Sequence, residues 1–161
     1  MKTLVIMRHG TASSPFGYED KKRPLSSEGI AEVESVSRQL SDLGLTIKKA
    51  MVSDARRTSE TFITLDQTNS HWHIEARFHS NLYHGGFDEL LSAASELSDK
   101  LDTVLWVGHN PGVSEVASFL SKKMFSFRPS EALILTCEAE NWVDALCSFS
   151  WEAKVKLSPI S

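Results

Sequence analysis

An α/β fold, with a mostly parallel central sheet between two layers of helices, is predicted by three features of the chain. Segments of strand and helix character alternate along most of its length, which puts helices on both faces of a sheet. Thr3–Met7 and Thr103–Val107 are short apolar runs, as expected of central parallel strands buried on both faces. No repeat, low-complexity tract or long linker breaks the 161 residues, a length that suits one domain over 1–161.

The elements follow in order. Thr3–Met7 is the first strand. Residues 11–25, with Ser13, Ser14, Pro15, Gly17 and Pro24, form a long loop, of the kind that often carries function in a compact domain. Ser27–Leu43 is a helix, because Ile30, Val33, Val36, Leu40 and Leu43 step by 3, 3, 4 and 3 into one apolar stripe. Ser26 or Ser27 caps its start, and Gly44 supplies the left-handed residue that helix ends favour. Ile47–Val52 is a second strand, Asp54–Leu65 a helix and His73–Phe78 a weaker strand. Phe87–Leu97 is a helix with Phe87, Leu90, Leu91, Ala94 and Leu97 on one side. Thr103–Val107 precedes a helix over Val113–Leu120. Ala132–Cys137 and Ala145–Trp151 read as a terminal antiparallel pair. Trp72, Trp106, Trp142 and Trp151 read as core or rim residues.

Composition narrows the function classes. With 17 Lys+Arg against 21 Asp+Glu the net charge is −4, so the basic footprint of a nucleic-acid binder is missing. No apolar run approaches the roughly 20 residues of a membrane span. Arg8-His9 follows the first apolar run too soon for a secretory leader. Cys137 and Cys147 are too few for a disulfide framework and read as two buried thiols in adjacent strands, so a cytoplasmic location is expected. Nothing reads as a dominant association helix, so a monomer is expected.

Ligands of open α/β sheets bind beyond the carboxyl ends of the strands. Arg8-His9-Gly10 follows the first strand, Ser53-Asp54-Ala55-Arg56-Arg57-Thr58 the second, and Gly108-His109-Asn110-Pro111 the strand at 103–107. Three strand ends therefore deliver two histidines and at least two arginines to one rim. Arginine presents a rigid, permanently charged fork of donors that matches phosphate oxygens. A histidine attacks through one ring nitrogen when the other is held as a donor. The combination reads as a phosphoryl-transfer site in which positioned cations supply most of the catalysis.

Arg8-His9-Gly10 at the end of a first strand resembles the signature of the histidine phosphatase superfamily, with its phosphoglycerate-mutase-like fold. Ser53-x-x-x-Arg57-Thr58-x-x-Thr61 resembles that superfamily's second motif and Gly108-His109 its third. The small size, Arg23-Pro24-Leu25-Ser26 with Gly29, and the lack of a large cap insertion resemble the SixA branch of bacterial phosphohistidine phosphatases. The resemblance implies that His9 is the nucleophile, forming a phosphohistidine intermediate, with Arg8, Arg57 and His109 completing the phosphate pocket. It implies that Arg23 contributes to the substrate rim. It also implies a substrate protein carrying phosphohistidine, such as a phosphotransfer domain of a bacterial signalling relay, and an open site that such a protein can reach. Tyr18, Lys21, Lys22 and Arg23 read either as part of the docking rim or as a solvated face. The alternative is a small-molecule phosphomonoesterase of the same superfamily, acting on a phosphosugar or nucleotide. No cofactor or metal is expected, since arginines take the place of a metal in neutralising charge.

Two departures stand out. Asp54 occupies a position where relatives often carry proline, and either faces the pocket or caps the helix. Larger members carry a glutamate after the third strand that protonates the leaving oxygen. Here that stretch is Leu82-Tyr83-His84-Gly85-Gly86, with His84 as a candidate substrate-binding residue. Imidazole leaves more easily than an alkoxide, so a site without that acid suits a phosphoramidate. His71 and His73 would share one strand face, but a zinc site wants three or four ligands, so no metal is assigned to them.

Overall fold

A computed structural model describes residues 1–160. One sheet contains β1 (Lys2–Arg8), β2 (Lys49–Ser53), β3 (Glu75–His79), β4 (Thr103–Gly108), β5 (Ala132–Cys137) and β6 (Glu152–Leu157), in the order β3-β2-β4-β1-β5-β6. From β3 to β1 all neighbours are parallel; β5 lies antiparallel to β1, and β6 antiparallel to β5. The two apolar runs are the adjacent central strands β1 and β4, as their composition predicts.

The helices are α1 (Ser27–Asp42), α2 (Arg56–Thr68), α3 (Phe87–Ala94), α4 (Gly112–Ser121) and α5 (Trp142–Ser148). Strand alternation sorts the core into two layers. Leu4, Ile6, Met51, Val104 and Trp106 pack with side chains of α3, α4 and α5. Val5, Met7, Val52, Leu105 and Val107 pack with those of α1 and α2. Each large side chain so buried contributes about 1.5–3 kcal/mol. All four tryptophans lie in this core. Among the described residues, no helix is long and apolar enough to cross a membrane.

The structure departs from the sequence reading at several points. Ala145–Trp151 is not a strand: α5 occupies Trp142–Ser148, and the last strand is β6. The Asn141 side chain accepts from the Asp144 N–H at 2.8 Å, a helix N-cap, and Trp142, Ala145 and Leu146 face the core at helical spacing. Cys147 is consequently an exposed helix residue; only Cys137 is buried. The α1 stripe is shorter than the spacing predicts, for Val33, Val36 and Leu40 are fully buried while Ile30 and Leu43 are exposed at the two ends. Ser26 provides the α1 cap, accepting from Gly29 N–H at 3.0 Å, and Gly44 has the expected positive φ of 78°. His71 lies in a 3-10 turn and His73 ends it in the left-handed region, so the two share no strand face.

Candidate active site

Sheet register assembles the site. Arg8 of β1 pairs with Gly108 of β4, and Val52 of β2 with Val107, so Arg8, Gly108 and Ser53 stand level across three adjacent strands. His9 and His109 each come one residue later. The His9 backbone N–H donates to the Gly108 carbonyl at 3.1 Å, and the two imidazoles lie 5.2 Å apart, centre to centre.

Motif residues lock these exits together. The Gly10 N–H donates to Thr61 Oγ1 at 3.0 Å, joining the first motif to the second. Thr58 Oγ1 donates to the Ser53 carbonyl at 2.7 Å, fixing the turn from β2 into α2. Gly10 and Gly29 are required by close approach. A Cβ on Gly10 would lie 2.9 Å from the Gly29 carbonyl, and one on Gly29 would run into the Thr11 carbonyl. Glu32 of α1 accepts from Thr11 N–H and Ser130 Oγ, both at 3.0 Å, and so holds the chain where it leaves β1.

The result is a cleft of about 320 Å³ lined by Arg8, His9, Arg23, Arg57, His109 and Asn110, among others. Five of the six residues singled out from the sequence meet there. The sixth, His84, does not: it is exposed, packs against Tyr83 with ring centres 4.2 Å apart, and lines a neighbouring hollow. Asp54 neither caps α2 nor lines the cleft. It pairs with Lys21 at 3.0 Å, while the cap position falls to Ala55.

His9 Nδ1 lies 2.7 Å from the Gly10 carbonyl oxygen. A carbonyl only accepts, so Nδ1 carries the proton and the lone pair of the neutral ring sits on Nε2. Burial holds His9 well below the ordinary imidazole value, at about 4; Arg57, Arg8 and Arg23 push the same way, against the Gly10 bond. The ring is therefore neutral at neutral pH. His109 differs. Its Nε2 lies 2.8 Å from Ser53 Oγ, and its buried Nδ1 has no protein partner. Burial, then the neighbouring His9 ring when protonated and the Arg57 charge, lower it to about 3.

Arg8 Nη1 donates to the Phe127 carbonyl at 2.9 Å, and its buried Nε has no protein partner. Arg57 is held by Asp20, with Nη1 to the Asp20 carbonyl at 2.7 Å and Nη2 to its carboxylate at 3.1 Å. The same carboxylate takes Arg23 Nη1 at 3.1 Å and the Tyr83 hydroxyl. That hydroxyl bond, with the two arginines, holds the Asp20 carboxyl far below the usual carboxylate range. Tyr83 also stands edge-on to His109 at 5.4 Å. Asp20 and Tyr83 are the residues that sequence reasoning missed. Asp20 carried no local signal; Tyr83 sat unremarked beside His84, in the stretch already singled out for its missing acid.

The family model of the histidine phosphatase superfamily (branch 1) matches residues 4–114. This chain belongs to that superfamily. An uncharacterised chloroplastic protein of Arabidopsis thaliana is 29% identical over 153 residues, covering 89% of this chain and 70% of that one. The fold matches the protein assigned as phosphohistidine phosphatase SixA in Nakamurella multipartitia, with a TM-score of 0.87 at 24% identity over 99% of this chain and 97% of that one. It also matches the protein histidine phosphatase SixA complexed with tungstate, with a TM-score of 0.77 at 21% identity over 98% and 97% of the two chains. The cleft of this chain combines a neutral imidazole carrying a free lone pair with three guanidinium groups.

Proposed function

We propose that this chain is a phosphatase that removes the phosphoryl group from phosphohistidine on a protein, with His9 as nucleophile. The observation that carries the reading is the Nδ1–H to Gly10 carbonyl bond, which leaves Nε2 unprotonated in a cleft lined by Arg8, Arg23 and Arg57. In the first step Nε2 attacks phosphorus and the substrate's P–N bond breaks. The departing imidazole, protonated on its distal nitrogen, leaves as a neutral ring. In the second step water attacks the phosphoryl group on Nε2, releasing inorganic phosphate and restoring His9. Arg8 and Arg57 hold the equatorial oxygens, where the transition state carries its charge. His109 stands beside the same oxygens and gains a proton as the anion's charge opposes the effect of burial.

The substrate class rests on what lines the cleft. The cleft residues are basic, neutral or apolar; the carboxylate that reaches its arginines, Asp20, is already engaged by Arg57, Arg23 and Tyr83, and Glu115 lies in the adjoining hollow. A site without a free acid handles imidazole better than an alkoxide. The fold relationship to SixA proteins agrees with this choice. A relay phosphotransfer domain is the proposed partner; a phosphosugar or nucleotide monoesterase is the competing reading.

The test is an assay of a histidine-phosphorylated phosphotransfer domain against a panel of phosphomonoesters, with and without chelator. Faster turnover of phosphohistidine, insensitive to chelator, is expected. An acid-labile, base-stable label should form on the wild-type enzyme and be absent from His9→Ala. Faster hydrolysis of sugar phosphates would overturn the reading.

A further inference from the structure

Three hollows join end to end beside the site. The arginine cleft shares His109 and Asn110 with a hollow of about 300 Å³ that also involves Tyr83 and His84. That hollow shares Glu115 with an open groove of about 600 Å³ along α4, bounded by Phe119, Met124 and Phe125. Phe119 is 63% exposed and Met124 92% exposed. Large apolar side chains left in water beside a catalytic cleft mark a binding surface.

The charged residue lining the groove is Glu115, and two cations at the end of α4 are uncommitted. Lys122 and Lys123 are exposed next to Met124 and have no carboxylate within ion-pair distance among the described residues. The basic run in the long loop is different. Lys21 is paired with Asp54, Lys22 with Glu19, and Arg23 with Asp20. Cations available to a partner therefore lie at the α4 end of the track rather than in that run. Phe119 follows Gly112 by seven residues, which is about 10 Å along the helix axis.

We propose that this groove docks the protein that presents the phosphohistidine, an inference that rests on the phosphohistidine reading above. The phosphorylated side chain enters the arginine cleft from a helix of the partner. An apolar side chain about two turns along that helix fills the groove between Phe119, Met124 and Phe125. Carboxylates of the partner face Lys122 and Lys123.

Two double variants test it, Phe119→Ser with Met124→Ser and Lys122→Glu with Lys123→Glu. Lys122, Lys123 and Met124 are free at the surface, while Phe119 is exposed but rests on Phe149 with ring centres 5.3 Å apart. Circular dichroism therefore checks that each variant keeps the fold, and the lysine pair tests the surface without touching that contact. The probes are a four-helix phosphotransfer domain phosphorylated on its histidine and the free amino acid phosphohistidine. Each variant should lose about tenfold in kcat/KM on the protein, carried by KM, and nothing on the amino acid. Wild-type kinetics on both probes would overturn the docking surface and leave the proposed function standing. Equal losses on both probes would also overturn it. A wild-type enzyme active only on phosphomonoesters would instead sink the substrate reading. Sedimentation showing a wild-type dimer that Phe119→Ser with Met124→Ser dissociates would assign the groove to a second copy and end the proposal.

Discussion

The exits of β1 and β4 are neighbours in register, and each delivers one histidine to the cleft. At the β1 exit the ring is fastened by the backbone next to it, through Nδ1, and Nε2 keeps its lone pair. At the β4 exit Nε2 is the fastened nitrogen, and the fastener is Ser53, a side chain from β2. Both rings are neutral for the same reason, burial among positive charges. Equivalent positions therefore prepare different roles. In the mechanism proposed above, which nitrogen is held, rather than which residue is present, separates the nucleophile from its neighbour.

Substitutions can break that contrast. His9→Ala should give the largest effect, a loss of roughly 10⁴-fold or more in turnover together with loss of the phosphoenzyme label. His109→Ala should lose about 10²- to 10³-fold in kcat, as for other groups that stabilise transition-state charge, yet still form the label on His9. If the label instead disappeared with His109 and survived without His9, the two roles would be reversed. Asp20→Asn should lower kcat by about tenfold, because Arg57 and Arg23 lose one charged anchor worth about 1.5–3 kcal/mol, of which only part reaches the transition state. KM should not rise, since removing the carboxylate makes the cleft more positive. Ser53→Ala should cost only a few-fold in kcat, the scale of one neutral hydrogen bond of about 1 kcal/mol.

Acid acts on the same two rings through stability rather than turnover. His9 and His109 sit at about 4 and about 3 in the folded protein, below the 6.5 of a free imidazole. Between those values the unfolded chain binds more protons than the folded one. Stability from these sites is therefore complete above pH 6.5 and declines as pH falls toward 4 and then 3. Urea midpoints across that range should fall with pH, and His9→Gln should flatten the part of the slope that His9 contributes.

Legibility followed distance along the chain. The exits of β1, β2 and β4 could be read because a strand and the residue after it are one local pattern, and Arg8, His9, Arg57 and His109 all meet in the cleft. Arg23 joined them from the long loop. His84 lines the adjoining hollow rather than the cleft, because its place in the sequence said nothing of where the side chain would lie. The error at Ala145–Trp151 had a similar cause. An apolar run of that length fits either period, and the Asn141 cap, which decides the matter, lies outside it. The alternation Ala153, Val155, Leu157 against Glu152, Lys154, Lys156 was the better strand signal.

The order of residues alone determined the alternating architecture, the central pair of strands and the chemical groups carried to their ends, because each depends on side chains a few positions apart. Only the folded chain decided which nitrogen of each histidine is held and which carboxylate anchors Arg57. Asp20 and Arg57 lie 37 residues apart, Asp20 and Tyr83 63, and Ser53 and His109 56. Hydrogen bonds act over about 3 Å. A pairing of that reach is fixed by how strands align and helices pack, and no local pattern in the chain encodes it.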